Sequence, residues 1–161
     1  MPNDVITVTT TVDAPVDTVF SILADPAQHA AIDGTGWVRE SLDGNVLTEV
    51  GQIFDVAMYH DNVEHADGHY EMANKVVHFD RPHAIAWEPG QRSSESGDIE
   101  FGGWIWRYDL TADDPTHTRV ALTYDWRAVP PFLREQIEFP PFGIEHLHNS
   151  LDHLAELARR G

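Results

Sequence analysis

Gly103-Trp104-Ile105-Trp106-Arg107-Tyr108-Asp109-Leu110 carries Trp, Trp, Tyr and Leu at alternate positions, with Ile105, Arg107 and Asp109 between them. Successive side chains of a β-strand point to opposite faces, so this stretch predicts a strand with one aromatic face. After the turn residues Asp113-Asp114-Pro115, Val120, Leu122, Tyr124 and Trp126 alternate in the same way. The intervening Ala121, Thr123 and Asp125, like Arg107 and Asp109, suit solvent. Two neighbouring strands therefore present one wall of rings and one polar face. The wall holds more aromatic surface than a chain of 161 residues needs merely to stay folded. It either fills an unusually bulky core or lines a cavity for a flat or greasy ligand.

Outward from these strands, Val5 to Val12 is rich in Thr and Val and predicts the first strand. Asp13-Ala14-Pro15 then opens a helix with Val16, Val19, Phe20 and Leu23 at helical spacing. Asp25-Pro26 opens a second short helix that reaches about Ile32. From Trp37 the pattern turns to strands. These run over Trp37 to Leu42, Val46 to Tyr59 with an interruption near Gly51, Tyr70 to Phe79, and Ala84 to Trp87, the last closed by Glu88-Pro89-Gly90. The serine-rich stretch Gln91 to Asp98 reads as a loop over one end of the sheet. Ile144, Leu147, Leu151, Leu154 and Ala158 form one apolar stripe of a C-terminal helix. This order predicts a single α+β domain over residues 1–161. In it an antiparallel sheet of about seven strands wraps around the long C-terminal helix, with two short helices after the first strand.

Composition narrows the function classes. Ten basic and 27 acidic residues give a formal charge of −17, which repels phosphate backbones and anionic lipid surfaces. The only adjacent basic pair is Arg159-Arg160, so neither nucleic acid nor a membrane is expected as a partner. With no cysteine, disulfides, thiolate metal sites and thiol nucleophiles are excluded. The N-terminus has no basic and apolar targeting pattern, and no apolar run approaches the ~18 residues of a membrane-spanning helix. A cytoplasmic protein is the expectation. Oligomeric state leaves no mark on the pattern.

Polar residues on the expected inner faces are the candidates for chemistry. In Ile53 to Tyr59, Phe54, Val56 and Met58 share one face and are read as inward, leaving Asp55 outside. The opposite phase would bury Asp55 as a carboxylate with a raised pKa. In the next strand Tyr70, Met72, Asn74, Val76 and His78 share a face, which makes Asn74 and His78 its polar members. On the last helix His148 sits at the edge of the apolar stripe, within reach of a cavity, while His146 and His153 face away. His78 and His148 are the acid/base candidates, the alternative for each being a structural, partly exposed histidine. The ligand-lining set is Phe54, Met58, Tyr70, Asn74, Trp87, Trp104, Trp106, Tyr108, Tyr124 and Trp126. His60, His65 and His69 lie among carboxylates, but their spacing matches no recognised metal site and a strand would splay the rings, so no metal is expected. No phosphate loop, Ser-His-Asp order or cofactor motif occurs, and no cofactor is expected.

Three local patterns go further. They are Ala14-Pro15-Val16-Asp17-Thr18-Val19-Phe20 followed by Leu23-Ala24-Asp25-Pro26, then Phe79-Asp80-Arg81-Pro82-His83-Ala84-Ile85-Ala86-Trp87, then Thr118-Arg119-Val120. With the order of elements, these resemble the Bet v 1-like, or START-like, helix-grip superfamily over essentially the whole chain. Within it they look most like the bacterial polyketide cyclase/dehydrase-like (SRPBCC) branch. His117 stands where that pattern has a glycine. The resemblance implies a sheet that grips the C-terminal helix around a pocket. It also implies a small apolar or aromatic ligand, such as a lipid or polyketide. The matching motifs are fold motifs and not catalytic ones. Two functions follow as expectations: a binding protein, or a cyclase or dehydratase that uses His78 or His148 for one proton transfer. Some relatives bind chaperones, which adds a partner-protein module as a third.

Overall fold

In the computed structural model, which describes residues 5–32, 38–41, 46–59, 69–92, 98–131 and 144–160, the sheet opens with β1 (Val5–Val12). It is followed by α1 (Val16–Leu23), a single 3-10 turn (Pro26–Gln28) and α2 (His29–Ile32). The remaining strands are β2 (Val38–Ser41), β3 (Ile53–Tyr59), β4 (His69–Asp80), β5 (Ala84–Arg92), β6 (Ile99–Phe101), β7 (Ile105–Asp114) and β8 (His117–Asp125), and the chain closes with α3 (Glu145–Arg160). The strands form one antiparallel sheet in the order β1-β8-β7-β5-β4-β3-β2, with β6 paired beside β5. α3 packs on β1 and β8 and against α1 and α2. This is the expected α+β helix-grip arrangement.

One core holds the layers together. Val12, Val120 and Leu122 from the sheet, Val19, Phe20 and Leu23 from α1, and Leu147 and Leu154 from α3 are all fully buried. Burying an aliphatic side chain of this size stabilises by about 1.5–3 kcal/mol. Short polar contacts fix the entry to the first helices. The Asp25 carboxylate accepts the Ala27 N–H at 3.1 Å and caps the 3-10 turn. The Thr118 hydroxyl donates to the Ala14 carbonyl at 2.8 Å, and Thr118 is fully buried. That bond ties β8 to the β1–α1 corner and contributes about 1 kcal/mol.

His117 strengthens the same corner. Its Nδ1 lies 2.9 Å from Asp114 and its Nε2 3.4 Å from Asp13. The Asp114 carboxylate, hydrogen-bonded to His117 first and Thr116 next, is held down at about 2. The imidazole is raised above its ordinary 6.5, chiefly by its hydrogen bond to Asp114. A raised histidine stabilises most below its unfolded pKa and loses that contribution as pH rises through its folded one. A depressed carboxylate stabilises above its unfolded pKa and loses that contribution as pH falls toward its folded one. The contact is therefore strongest between about pH 4 and 6.5. Thermal melts of the wild type and His117→Ala should differ most at about pH 5, and the difference should shrink as the pH rises above 6.5 and through the raised folded pKa of His117. A difference that grows with pH would contradict the assignment.

The strand limits differ from expectation in two places. Val46 to Gly51 is a turn rather than a strand: Gly51 has φ 93°, and the Gln52 side chain accepts the Thr48 N–H at 2.8 Å and donates to the Val46 carbonyl at 3.0 Å. β5 does not stop at Trp87 but runs on through Pro89 and Gly90 to Arg92. A Cβ on Gly90 would stand 2.6 Å from Ile99 Cγ2, so the missing side chain is what lets β6 pack there. β6 itself has too few residues to show an alternation. Among the described residues no helix is long and apolar enough to cross a membrane.

Candidate functional site

The strand registers lay the inward side chains out in rows across the sheet. One row runs Val76–Trp87–Trp106–Tyr124–Ile6, each residue facing the next on the neighbouring strand. A second runs Phe79–Ile85–Tyr108–Leu122–Val8. Beyond the first row, Phe54, Asn74 and Pro89 stand side by side. The second row is sealed from Ile85 to Val8, with Ile85 and Leu122 0% exposed, Tyr108 5% and Val8 6%, and only Phe79 at its edge is partly buried. Trp87 and Trp106 in the first row, and Trp104 just before β7, are only partly buried although they pack on the core cluster.

The rings touch in an almost continuous run. Trp106 and Tyr124 have centroids 4.5 Å apart, Tyr124 and Trp126 5.5 Å, Trp87 and Tyr108 5.9 Å, and Phe54 meets Trp87 edge-on at 5.7 Å. Two imidazoles lie against the run, one at its Phe54 end and one at its middle. His29 stacks on Trp87 at 4.8 Å with an 18° tilt and meets Phe54 edge-on at 5.5 Å. His146 of α3 stands at 88° to Trp106 at 5.4 Å. The edge-on contacts are a favourable geometry for aromatic pairs, while Trp106–Tyr124, Tyr124–Trp126 and Trp87–Tyr108 are tilted by 48°, 32° and 31°.

Burial sets the protonation of this interior. It pushes the Tyr124 phenol up, so the group remains an O–H. It also lowers His29, against the opposing effects of the Leu23 carbonyl and Asp25, so the ring is neutral near pH 7. The Leu23 carbonyl can only accept, so the 2.8 Å contact places the His29 proton on Nε2 and leaves the lone pair on Nδ1. Asn74 is 6% exposed, and its Oδ1 has no hydrogen-bond partner among the described residues. An acceptor buried in that state costs about 1–3 kcal/mol.

The structure brings Phe54, Asn74, Trp87, Trp106, Tyr108 and Tyr124 to one face, with Trp126 continuing the line past β8. Trp104 folds back over Gly102, where a Cβ would fall inside its ring. Met58 and Tyr70 are backbone partners in the β3–β4 register, and their side chains lie outside the described residues. Asp55 pairs with Ala73 and shares the outer face, opposite to Phe54. His60 and His65 also lie outside the described residues, as does the His69 side chain.

Two placements are corrected. His78 does not share the face of Asn74: the register shifts between Val76 and His78, so His78 opposes Ala86 on the outer face. Phe79 takes the inward place, against Ile85 and 5.3 Å from Phe20. A β-bulge of one residue reverses every side chain beyond it. His148 is exposed, as is Ile144 at 47%, whereas His146 and Ser150 are buried beside Leu147 and Leu151. α3 is thus rotated so that His146, and not His148, meets the ring wall. His29 is the other site residue that the sequence pattern does not single out, because α2 is a single turn, too short to show an amphipathic period.

The fold is the helix-grip fold of the Bet v 1-like and START-like proteins. A Mycobacterium smegmatis protein of known structure superposes with a TM-score of 0.69 at 18% identity, covering 98% of this chain and 92% of its own. An aromatase/cyclase from Streptomyces superposes with a TM-score of 0.62 at 18% identity, over 97% of this chain and 93% of its own. Norcoclaurine synthase from Thalictrum flavum, solved with dopamine and hydroxybenzaldehyde, gives a TM-score of 0.61 at 14% identity, over 97% and 86%. In sequence, the chain is 29% identical over 117 residues to an uncharacterised protein of Mycobacterium tuberculosis, a match covering 73% of this chain. The chain spans less than half, 45%, of the length of that curated relative. No family model matches the sequence.

Proposed function

We propose that the protein binds an apolar or aromatic small molecule, lipid- or polyketide-like, between the ring wall of the sheet and α3. The observation that carries this reading is the partial exposure of Trp87 and Trp106 beside a row that is buried from Ile85 to Val8. Aromatic side chains that a core has finished burying keep no such surface, whereas those lining a ligand site do. The fold supports the reading, since two structural neighbours are an aromatase/cyclase and a synthase holding small aromatic molecules. The net charge of −17 argues against nucleic acid and anionic membranes as partners, and a cytoplasmic setting fits a chain without cysteine. Titration with fatty acids, aromatic polyketides and flavonoids should give saturable quenching of tryptophan fluorescence for at least one class. The absence of any saturable ligand, with a crystal structure whose interior is fully packed, would overturn it.

A second reading, a cyclase or dehydratase acting on a polyketide-like chain, is favoured by the two imidazoles inside the wall. His29 and His146 each touch a tryptophan of the first row. Catalysis there would consist of holding a flexible chain in one conformation and moving one proton.

A further inference from the structure

We propose that Asn74 and His29 form a paired acceptor site at the Phe54 end of the ring wall, which selects an aromatic ligand carrying a hydroxyl, a phenol or an enol, through its O–H. The proposal rests on the binding reading above and names the chemistry of the ligand. Asn74 faces inward directly between Phe54 on β3 and Pro89 on β5. Phe54 and Trp87 meet edge-on, and the His29 ring touches both, so Asn74 and His29 border the same aromatic surface. The orientation of His29 is fixed twice, by its stack on Trp87 and by the bond from Nε2 to the Leu23 carbonyl. What the ring has left to offer is the Nδ1 lone pair, and what Asn74 has left is a buried Oδ1 with no partner among the described residues. A ligand carbonyl or carboxylate brought to these two atoms would set lone pairs against lone pairs. A hydroxyl supplies a proton that either acceptor can take, Asn74 Oδ1 being the buried one without a partner among the described residues, and its aromatic body lies on Phe54 and Trp87.

Calorimetric titration of the full chain with a naphthol and with its methyl ether tests this directly. The naphthol is expected to bind at least about fivefold tighter, the worth of one net hydrogen bond. Asn74→Leu should abolish that preference, keep the affinity for the ether, and leave the melting temperature of the unliganded protein unchanged or raised, because an unsatisfied polar group is replaced by an apolar one of similar volume. His29→Phe, which keeps the stack on Trp87 and removes the lone pair, should reduce the preference. Equal binding of naphthol and ether to the wild type would overturn the acceptor site while leaving the binding reading intact. A lowered melting temperature or loss of folding in Asn74→Leu would make Asn74 a structural residue and overturn it as well. If neither probe binds, the acceptor site is overturned, and the binding reading is decided by the panel of fatty acids, polyketides and flavonoids.

Discussion

Gly103→Ala is expected to destabilise the protein by about 3 kcal/mol or more, out of the roughly 5–15 kcal/mol that a domain of this kind possesses. Two costs add. Gly103 has φ 97°, a left-handed backbone that costs an L-residue about 1–2 kcal/mol. A Cβ there would also stand 2.6 Å from the Ala128 carbonyl oxygen and 2.9 Å from the Val129 nitrogen. Those are backbone atoms of the turn in which the Val129 N–H bonds the Trp126 carbonyl, so no side chain can swing aside. The segment entering β7 would have to part from the segment leaving β8, the point where Trp104 and Trp126 are held. Gly51→Ala is the matched control: φ is 93°, yet nothing lies within 4 Å of the added Cβ. It should cost only the conformational term. In thermal melts the Gly103 variant should fall by roughly 10 °C and the Gly51 variant by roughly 5 °C or less. Equal losses would show that the Ala128 contact is not what constrains the site.

Alternation carried the inner face of β7 and β8 without error because those strands are long, regular and paired residue for residue over most of their length. Only a local shift near Asp114 disturbs them. The same rule failed at His78 for a physical reason. Period-two reading assumes an unbroken pleat, and nothing in Asn74-Lys75-Val76-Val77-His78-Phe79 announces that Val77 is the extra residue of a bulge. α3 shows a different limit. At about 100° per residue, Leu147, Leu151, Leu154 and Ala158 define a stripe, and His146 and His148 flank it on opposite sides. Which flank meets the sheet depends on how the helix is rolled against β1, β8 and α2, a matter of packing between distant segments. One part of that packing is visible in the bond from His153 Nδ1 to the Ile32 carbonyl at 3.0 Å. His117 shows the converse. It stands where the pattern that the sequence resembles has a glycine, and its imidazole bridges the β7–β8 turn to the β1–α1 corner.

Trp106→Ala is expected to separate binding from stability. Trp106 is the centre of the wall: Trp87 and Tyr124 are its partners on either side, and His146 of α3 stands edge-on to it. Because the ring is only partly buried, its removal should cost less stability than the ~3–5 kcal/mol of a fully buried tryptophan, about 2 kcal/mol. A bound ligand would lose both contact area and an aromatic neighbour, together about 2 kcal/mol, or roughly 30-fold in affinity. Leu122→Ala provides the opposite pattern. Leu122 is 0% exposed in the second row, so truncation should cost about 2–5 kcal/mol of stability and change ligand affinity little. The pair is read by denaturant midpoints together with calorimetric affinities for the naphthol probe or for a ligand drawn from the quenching panel. If Trp106→Ala loses stability as Leu122→Ala does while affinity stays unchanged, the ring is core and the wall is not a binding surface. If affinity falls with stability largely kept, the half-exposed row of rings is where the ligand lies.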